Sequence, residues 1–298
     1  MELSICVVTM NRAEKLAEAL QSCLACELPP KTEFVIIDNA STDHTEQIVK
    51  DVLKNSGYNY YYEKMSENLG VGGGRNHAYN HAKGEFVYVL DDDAVIDVEN
   101  CRDFFTKAIG IFSTHPDIVT LTSQIYDTAW KKNRVSICGS AITEGLYRQF
   151  MFCGGSHFLR KSFYAESPYL PNQYGYEELP PSLMAVDKGK INAFCPELLI
   201  IHKPVLNKWN WEKDANTPLL IKGMALPYAI KKMMYPRIAC PIIYLFYTLR
   251  KRRYLTNRED RCRADATSKE LIEGYKIGYR IRFKTFCLLV LKFKITAL

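Results

Sequence analysis

Residues 86–90 read Phe-Val-Tyr-Val-Leu, apolar without a break, and the chain then passes directly into Asp91, Asp92 and Asp93. A run of that length, rich in β-branched and aromatic side chains, suits a strand covered on both faces, as in a parallel sheet between helix layers. Comparable apolar runs at 3–9 and 34–37 alternate with helical patterns at about 13–25, 42–55 and 73–83. That alternation predicts βαβ units, hence an α/β fold with a mainly parallel sheet. Asn39-Ala-Ser-Thr-Asp43 supplies turn and N-cap chemistry between the second strand and its helix. A helix near 98–113 and a strand near 117–124 continue the domain.

Three adjacent carboxylates repel one another unless something cationic sits beside them. They stand at the carboxyl end of a strand, which is where open α/β sheets place ligands. Carboxylate oxygens are hard ligands for Mg²⁺ or Mn²⁺, and such ions complete their shell with substrate phosphates rather than with an all-protein cage. The residues therefore point to a metal-bridged diphosphate site, with a solvated acidic turn as the competing reading.

The 298 residues are 47% apolar, which provides for a sizeable core and excludes a disordered chain. Charge is divided unevenly: residues 1–202 carry 18 Lys/Arg against 26 Asp/Glu, a net −8, whereas 203–298 carry 21 against 7, a net +14. A basic tail of this kind meets an anionic partner. The pattern changes at 203–215, so a domain over 1–205, with halves 1–97 and 98–205, and a basic helical region over 206–298 are expected.

Within the tail, residues 238–249 form an uncharged run of 12 with Pro241 inside, well short of the roughly 20 needed to span a bilayer. Lys231, Lys232 and Arg237 precede it, Arg250, Lys251, Arg252 and Arg253 follow it, and residues 280–294 repeat the theme. Such a segment suits a membrane surface. The charges bracket apolar runs instead of lining one polar face, which favours an anionic membrane over nucleic acid. Amphipathic helices packed on the domain with solvated basic faces are the competing reading.

Ten cysteines are scattered along the chain, several inside apolar runs where a reduced thiol packs as a small hydrophobe. Cys23 and Cys26 lack the second pair that a four-ligand zinc site requires. The strand-like run at the start has no signal-peptide pattern before it. These features predict a cytoplasmic protein, held peripherally at the inner face of the plasma membrane.

Taken together, VVTMNR at 7–12, IIDNASTD at 36–43, ENLGVGGGRN at 67–76 and VLDDDA at 89–94 resemble the family 2 glycosyltransferases over roughly the first 200 residues. That resemblance implies a GT-A fold with a Rossmann-like sheet. It also implies an inverting, metal-dependent transferase using a nucleotide-diphosphate sugar, with UDP the first candidate although no motif encodes the base. By the same resemblance Thr9, Asn11, Arg12, Asp38, Asn39 and Gly72 line the nucleotide-sugar site. Asp92 meets the ribose, Asp93 binds the metal (Mn²⁺ or Mg²⁺), and Asp91 is a secondary partner of either. Asp38 can accept a hydrogen bond from a base N–H or a ribose hydroxyl, or serve as a turn aspartate. Arg75, following a glycine-rich loop at a helix start, would favour phosphate oxygens, or else lie exposed on its helix. The glycines do not make a dinucleotide fingerprint, because Arg75 stands where the third glycine belongs and the segment before them is polar.

The second half adds Cys153-Gly-Gly-Ser-His157, Tyr174-Gly-Tyr-Glu177-Glu178 and Ile200-Ile-His202. These resemble the acceptor half of bacterial surface-polysaccharide transferases. The resemblance assigns the base to Glu178, with Glu177 as the alternative, and adds His202 to the metal shell. A carboxylate is what the chemistry requires, since the acceptor hydroxyl must lose its proton as it attacks the anomeric carbon. The family commonly has aspartate in the second place of this pair and an arginine later in the helix, whereas here Glu178 stands in that place and Pro180 and Pro181 intervene. The implied acceptor is a glycan or glycolipid, and a homodimer is compatible with all of this. A sugar-nucleotide nucleotidyltransferase would need a glycine-rich basic loop after the first strand, which Thr9-Met-Asn-Arg-Ala is not. A non-catalytic carbohydrate- or membrane-binding protein on the same scaffold would have no need of the acidic residues.

Overall fold

The structure, a computed structural model, describes residues 1–164, 166–204 and 217–298. It divides into two compact units, Met1–Ala185 with Gly189–Pro204, and Val186–Lys188 with Val205–Leu298. The boundary expected at 203–215 lies, from 205 onward, outside the described residues.

The first unit opens with β1 (Leu3–Thr9), α1 (Ala13–Leu24), β2 (Thr32–Asp38), α2 (Thr45–Leu53), β3 (Asn59–Lys64), α3 (Gly70–His81) and β4 (Phe86–Asp91). It continues through β5 (Ala94–Ile96), α4 (Phe104–Thr114), β6 (Ile118–Asp127), β7 (Lys132–Asn133), β8 (Cys138–Thr143), β9 (Leu146–Gln149) and β10 (Ser156–Arg160), and ends with α5 (Leu179–Asp187) and β11 (Ile191–His202). Among the described residues one sheet runs in the order β3-β2-β1-β4-β10-β6-β11-β9-β8, with β5 on β11 and β7 on β6. β10 is antiparallel to both β4 and β6, and the remaining ladders among β3, β2, β1, β4 and between β6 and β11 are parallel. β3, β2, β1, β4, β6 and β11 therefore share one direction, with β10 laid against them between β4 and β6 and the short β5, β7 and β9 also antiparallel to their neighbours, and the carboxyl ends of the six form a common mouth.

Alternation along the strands sorts the core. Ile5, Val7, Phe34, Ile36, Tyr88 and Leu90 face α1, α2 and α4, while Cys6, Val35, Ile37, Val87 and Val89 face Ala78 and Tyr79 of α3. Tyr88 lies 4.4 Å from the Phe158 ring and 5.3 to 5.4 Å from Phe105 and Phe104. Its hydroxyl is satisfied by Ser156 Oγ at 2.7 Å, so the polar tip costs nothing inside this aromatic cluster. All ten cysteines are free thiols, and Cys23 and Cys26 are core residues.

The structure departs from the sequence pattern at the glycines. Gly72, Gly73 and Gly74 lie inside α3, which starts at Gly70 rather than at 73, so there is no glycine loop. The reason is close packing. A Cβ on Gly72 would collide with the Leu170 carbonyl oxygen, and one on Gly74 would come within 2.6 Å of Val8 Cγ1. Gly70, at φ +75, would place a Cβ 2.5 Å from the Asn172 carbonyl oxygen. Elsewhere, α4 begins only at Phe104 because residues 97–101 turn on the Asp97 carbonyl, and β6 runs past 124 to Asp127 because β11 pairs with it that far.

The second unit holds α6 (Thr217–Met234), α7 (Cys240–Tyr254), α8 (Arg258–Gly274) and α9 (Phe283–Phe293). Tyr228 and Tyr247 stack at 4.1 Å between α6 and α7. On α7, Ile243 and Tyr247 are buried, while Ile242, Tyr244, Leu245 and Leu249 are exposed. Ile238 before it is 75% exposed, and Leu291 of α9 is 76% exposed. None of the described helices is long and apolar enough to cross a membrane.

Alanine is the better helix former by about 1 kcal/mol, yet Gly72→Ala is expected to destabilise the protein by about 1–3 kcal/mol, because backbone must move to admit the methyl. The urea midpoint checks this.

Candidate active site

Parallel strands deliver their last residues to one edge, and the mouth collects Thr9 from β1, Asp38 from β2, Asp91 from β4, Asp127 from β6 and His202 from β11. Asp92 and Asp93 follow β4 in a turn and are both buried. Thr9 Oγ1 donates to Asp92 Oδ2 at 2.7 Å, and Arg12 Nη1 bonds Asp92 Oδ1 at 2.8 Å and Asp93 Oδ2 at 2.9 Å. Burial pushes the Asp92 carboxyl up to about 6, with Arg12 pulling against it and Asp93 adding to it.

Asp93 and His202 meet at 3.1 Å through Oδ1 and Nε2. Donor atoms of Asp91, Asp93 and His202 all lie within 4.8 Å of one another, a set of two carboxylates and an imidazole that fits Mn²⁺ well and Mg²⁺ less well. The other imidazole nitrogen, His202 Nδ1, lies 2.6 Å from Asp127 Oδ1, and Arg134 bonds both oxygens of Asp127. Burial alone would lower the imidazole, but its bonds to Asp127 and Asp93 outweigh it and push His202 up to about 9. Burial likewise opposes ionisation of Asp127, and the bonds from His202 and Arg134 overcome it, bringing that carboxyl down to about 2. A carboxylate behind a ligating histidine fixes its tautomer and aim.

Arg75 is the centre of a second group. Its Nη1 donates to Glu177 Oε1 and Glu178 Oε1, both at 2.7 Å, and its Nη2 to Asp91 Oδ1 at 2.7 Å and the Gly154 carbonyl at 2.8 Å. Glu177 and Glu178 are buried just ahead of α5. Burial, reinforced by the charge of Glu177 and opposed by Arg75, pushes the Glu178 carboxyl up to about 8. A Cβ on Gly154 would strike Glu178 Oε1 and come within 2.6 Å of Arg75 Nη1. Glu177 Oε2 and Asn39 Oδ1 are buried acceptors without a partner among the described residues, the kind of atom a ligand donor or an ordered water satisfies.

The expectation of a phosphate grip from Gly72 and Arg75 meets a correction here. Val71 and Gly72 N–H groups are taken by the Gln173 and Asn172 carbonyls, and the Arg75 guanidinium is enclosed by carboxylates. Asp38 accepts from Ser41 N–H at 2.7 Å and Tyr62 O–H at 2.8 Å, as a turn aspartate does. Asn11, at φ +53, accepts from Thr42 N–H at 2.7 Å and so ties the β1 loop to the β2 loop. Asn39 Nδ2 donates to the Gly70 carbonyl at 3.1 Å. Sequence reasoning missed Asp127, Arg134 and the role of Gly154. Asp127 carried a readable signal, a carboxylate closing an apolar run like Asp38 and Asp91, whereas Arg134 and Gly154 carried none.

The family model described as "Glycosyl transferase family 2" matches residues 4–165. The chain belongs to that family. Among family relatives, the poly(ribitol-phosphate) β-N-acetylglucosaminyltransferase TarS of Staphylococcus aureus is 36% identical over 124 residues, which are 41% of this chain and 21% of that one. A GalNAc(5)-diNAcBac-PP-undecaprenol β-1,3-glucosyltransferase of Campylobacter jejuni is 32% identical over 92 residues, 31% of this chain and 29% of its own. The chain thus matches less than a third of the length of these curated relatives. The crystal structure of TarS 1–349 with UDP-GlcNAc superposes with a TM-score of 0.66 at 16% identity, covering 100% of this chain and 89% of that one. The mannosyltransferase PcManGT of Pyrobaculum calidifontis, solved with GDP-Man and Mn²⁺, superposes at 0.59 and 17% identity over 97% of this chain and 79% of its own. The shared fold is GT-A. Glu177, Glu178 and His202 lie beyond the residues that the family model matches.

Asp127→Asn keeps the shape but removes the charge behind His202. Mn²⁺ affinity, read by calorimetry, is expected to fall by about 10- to 100-fold.

Proposed function

We propose that the chain is an inverting glycosyltransferase of surface-polysaccharide synthesis, moving a sugar from a nucleoside-diphosphate sugar to a hydroxyl of a glycan or lipid-linked glycan. The observation that carries this reading is the single buried guanidinium of Arg75, which joins the strand-end carboxylate Asp91 to the raised carboxyl Glu178. A cation cluster and a proton acceptor are thereby held side by side. The relatives lend support, since TarS was solved with UDP-GlcNAc and PcManGT with GDP-Man and Mn²⁺.

In this reading residues 1–205 are the catalytic domain. Thr9, Asp38, Asn39 and Asp92 border the nucleoside, with Asn11 bracing the loops around it and Arg12 offered to the diphosphate. Asp91, Asp93 and His202 would hold Mn²⁺ or Mg²⁺, which when bound neutralises charge growing on the departing nucleoside diphosphate. Glu178 takes the proton of the acceptor hydroxyl as its oxygen bonds the anomeric carbon and the bond to the diphosphate breaks on the opposite face. Burial makes Glu178 a stronger base than a solvated carboxylate, and Arg75 keeps it oriented and within reach of neutral pH.

Glu178→Gln retains the hydrogen-bonding shape but cannot accept a proton. Its kcat is expected to fall by about 10²- to 10⁴-fold, with calorimetric UDP-sugar binding unchanged; full turnover would remove Glu178 from this role. In the wild type the base works only when deprotonated, so kcat/KM falls as pH drops below about 8. That ascending limb disappears in the variant.

We further propose that the basic helical region, 206–298, docks on an anionic membrane surface. Exposed Ile238, Leu245 and Leu249 stand beside Arg250, Arg252 and Arg253, and exposed Leu288 and Leu291 beside Lys292. Each such cation contributes on the order of 1 kcal/mol near an anionic leaflet. Co-sedimentation with phosphatidylserine vesicles is expected at low salt and lost at high salt. No sedimentation, together with a mass that doubles with concentration, would assign the face to a second copy instead.

A further inference from the structure

Away from the sheet mouth, a carboxylate and two imidazoles converge on the sheet's edge. β3 is the terminal strand, and its Glu63 faces His77 and His81, which stand one turn apart on α3 and so share a helix face. One donor atom from each lies within 4.8 Å of the others. His77 Nε2 is 2.7 Å from Glu63 Oε2, and His81 Nε2 is 4.0 Å from the same oxygen. The two rings lie 4.7 Å apart.

The orientation of this group goes beyond what one ion pair needs. His81 Nδ1 lies 3.0 Å from the His77 carbonyl oxygen. A carbonyl only accepts, so Nδ1 carries a proton there and Nε2 is the nitrogen turned toward Glu63. Tyr61 stacks on the His81 ring at 4.4 Å, and its hydroxyl donates to Glu63 Oε2 at 2.6 Å. Ligand atoms held by outer partners are the mark of a metal centre.

We propose that Glu63, His77 and His81 form a second cation site, distinct from Asp91, Asp93 and His202, which takes a borderline divalent transition ion, Zn²⁺ foremost. Two imidazoles and a carboxylate match the three-ligand zinc sets that leave a fourth position to water, and all three side chains are partly exposed. Mg²⁺ prefers an all-oxygen shell and is not served here. Tetrahedral donors at zinc distances stand roughly 3.3 Å apart, so the 2.7 Å contact opens and the 4.0 Å contact closes by amounts that partly exposed side chains absorb. The bound ion would clamp the edge strand to α3, the helix that carries Arg75.

The test uses the untagged full chain with Mg²⁺ present in excess, titrated with Co²⁺ and Zn²⁺. One equivalent of Co²⁺ is expected to give the visible absorption of a four-coordinate ion in the wild type and in Asp93→Asn alike. Zn²⁺ is expected to raise the Tm of both. A His77→Ala/His81→Ala variant, compared by circular dichroism, should lose the absorption and the Tm shift. Should that variant misfold, Glu63→Gln is expected to weaken Zn²⁺ binding by at least about tenfold, the scale on which losing even an outer partner acts. Unchanged binding in the variant that folds, or loss of the signal in Asp93→Asn, overturns the proposal.

Discussion

Burying Arg75 sets the terms for everything around it. A guanidinium cannot shed its proton, and with a side chain only 4% exposed it needs carboxylates in place of water. Asp91, Glu177 and Glu178 supply them, and the Gly154 carbonyl takes the second Nη2 bond. Leaving such a group without one partner costs about 3–5 kcal/mol, so the four segments that meet on Arg75 are held to one another by the penalty for separating. This explains the local glycines. α3 reaches its depth only because Gly72 and Gly74 have no side chain, and Gly154 leaves the space that the Arg75 and Glu178 head groups occupy.

The electrostatics of the mouth divide into two opposite trends. His202 and Arg12 overcome burial and hold the Asp93 carboxyl below its usual range, keeping it ionised. Burial wins at Glu178, which is pushed up to about 8. A carboxyl group is thus kept ionised at one place and eased toward its protonated form at another, and what differs is whether cationic partners or burial beside a second carboxylate dominates.

Much of the fold was legible because its strands are apolar throughout and end on polar residues. The runs at 3–9 and 86–90, and the acids Asp38 and Asp91 that close β2 and β4, follow from period and position alone. β3 was not legible, since Asn59–Lys64 is an edge strand with three exposed residues at its start and no apolar pattern. The glycine segment misled because a loop and a tightly packed helix start share one composition, and the atoms that decide between them belong to residues 170–173. Arg134 acts through Asp127 on His202, far along the chain, so no local spacing announces it.

β10 has a consequence for how the molecule comes into being. It is laid antiparallel between β4 and β6, although the residues that form it are made well after both. During synthesis the outer edge of β4 therefore stays open until residues 156–160 have left the ribosome, and an open edge invites pairing with other chains. The nascent first half is exposed to that hazard for more than sixty residues of elongation. His202, which ends β11 and completes the candidate cation cluster, arrives later still. A chain interrupted before that point would carry the strand-end aspartates without the imidazole set against them.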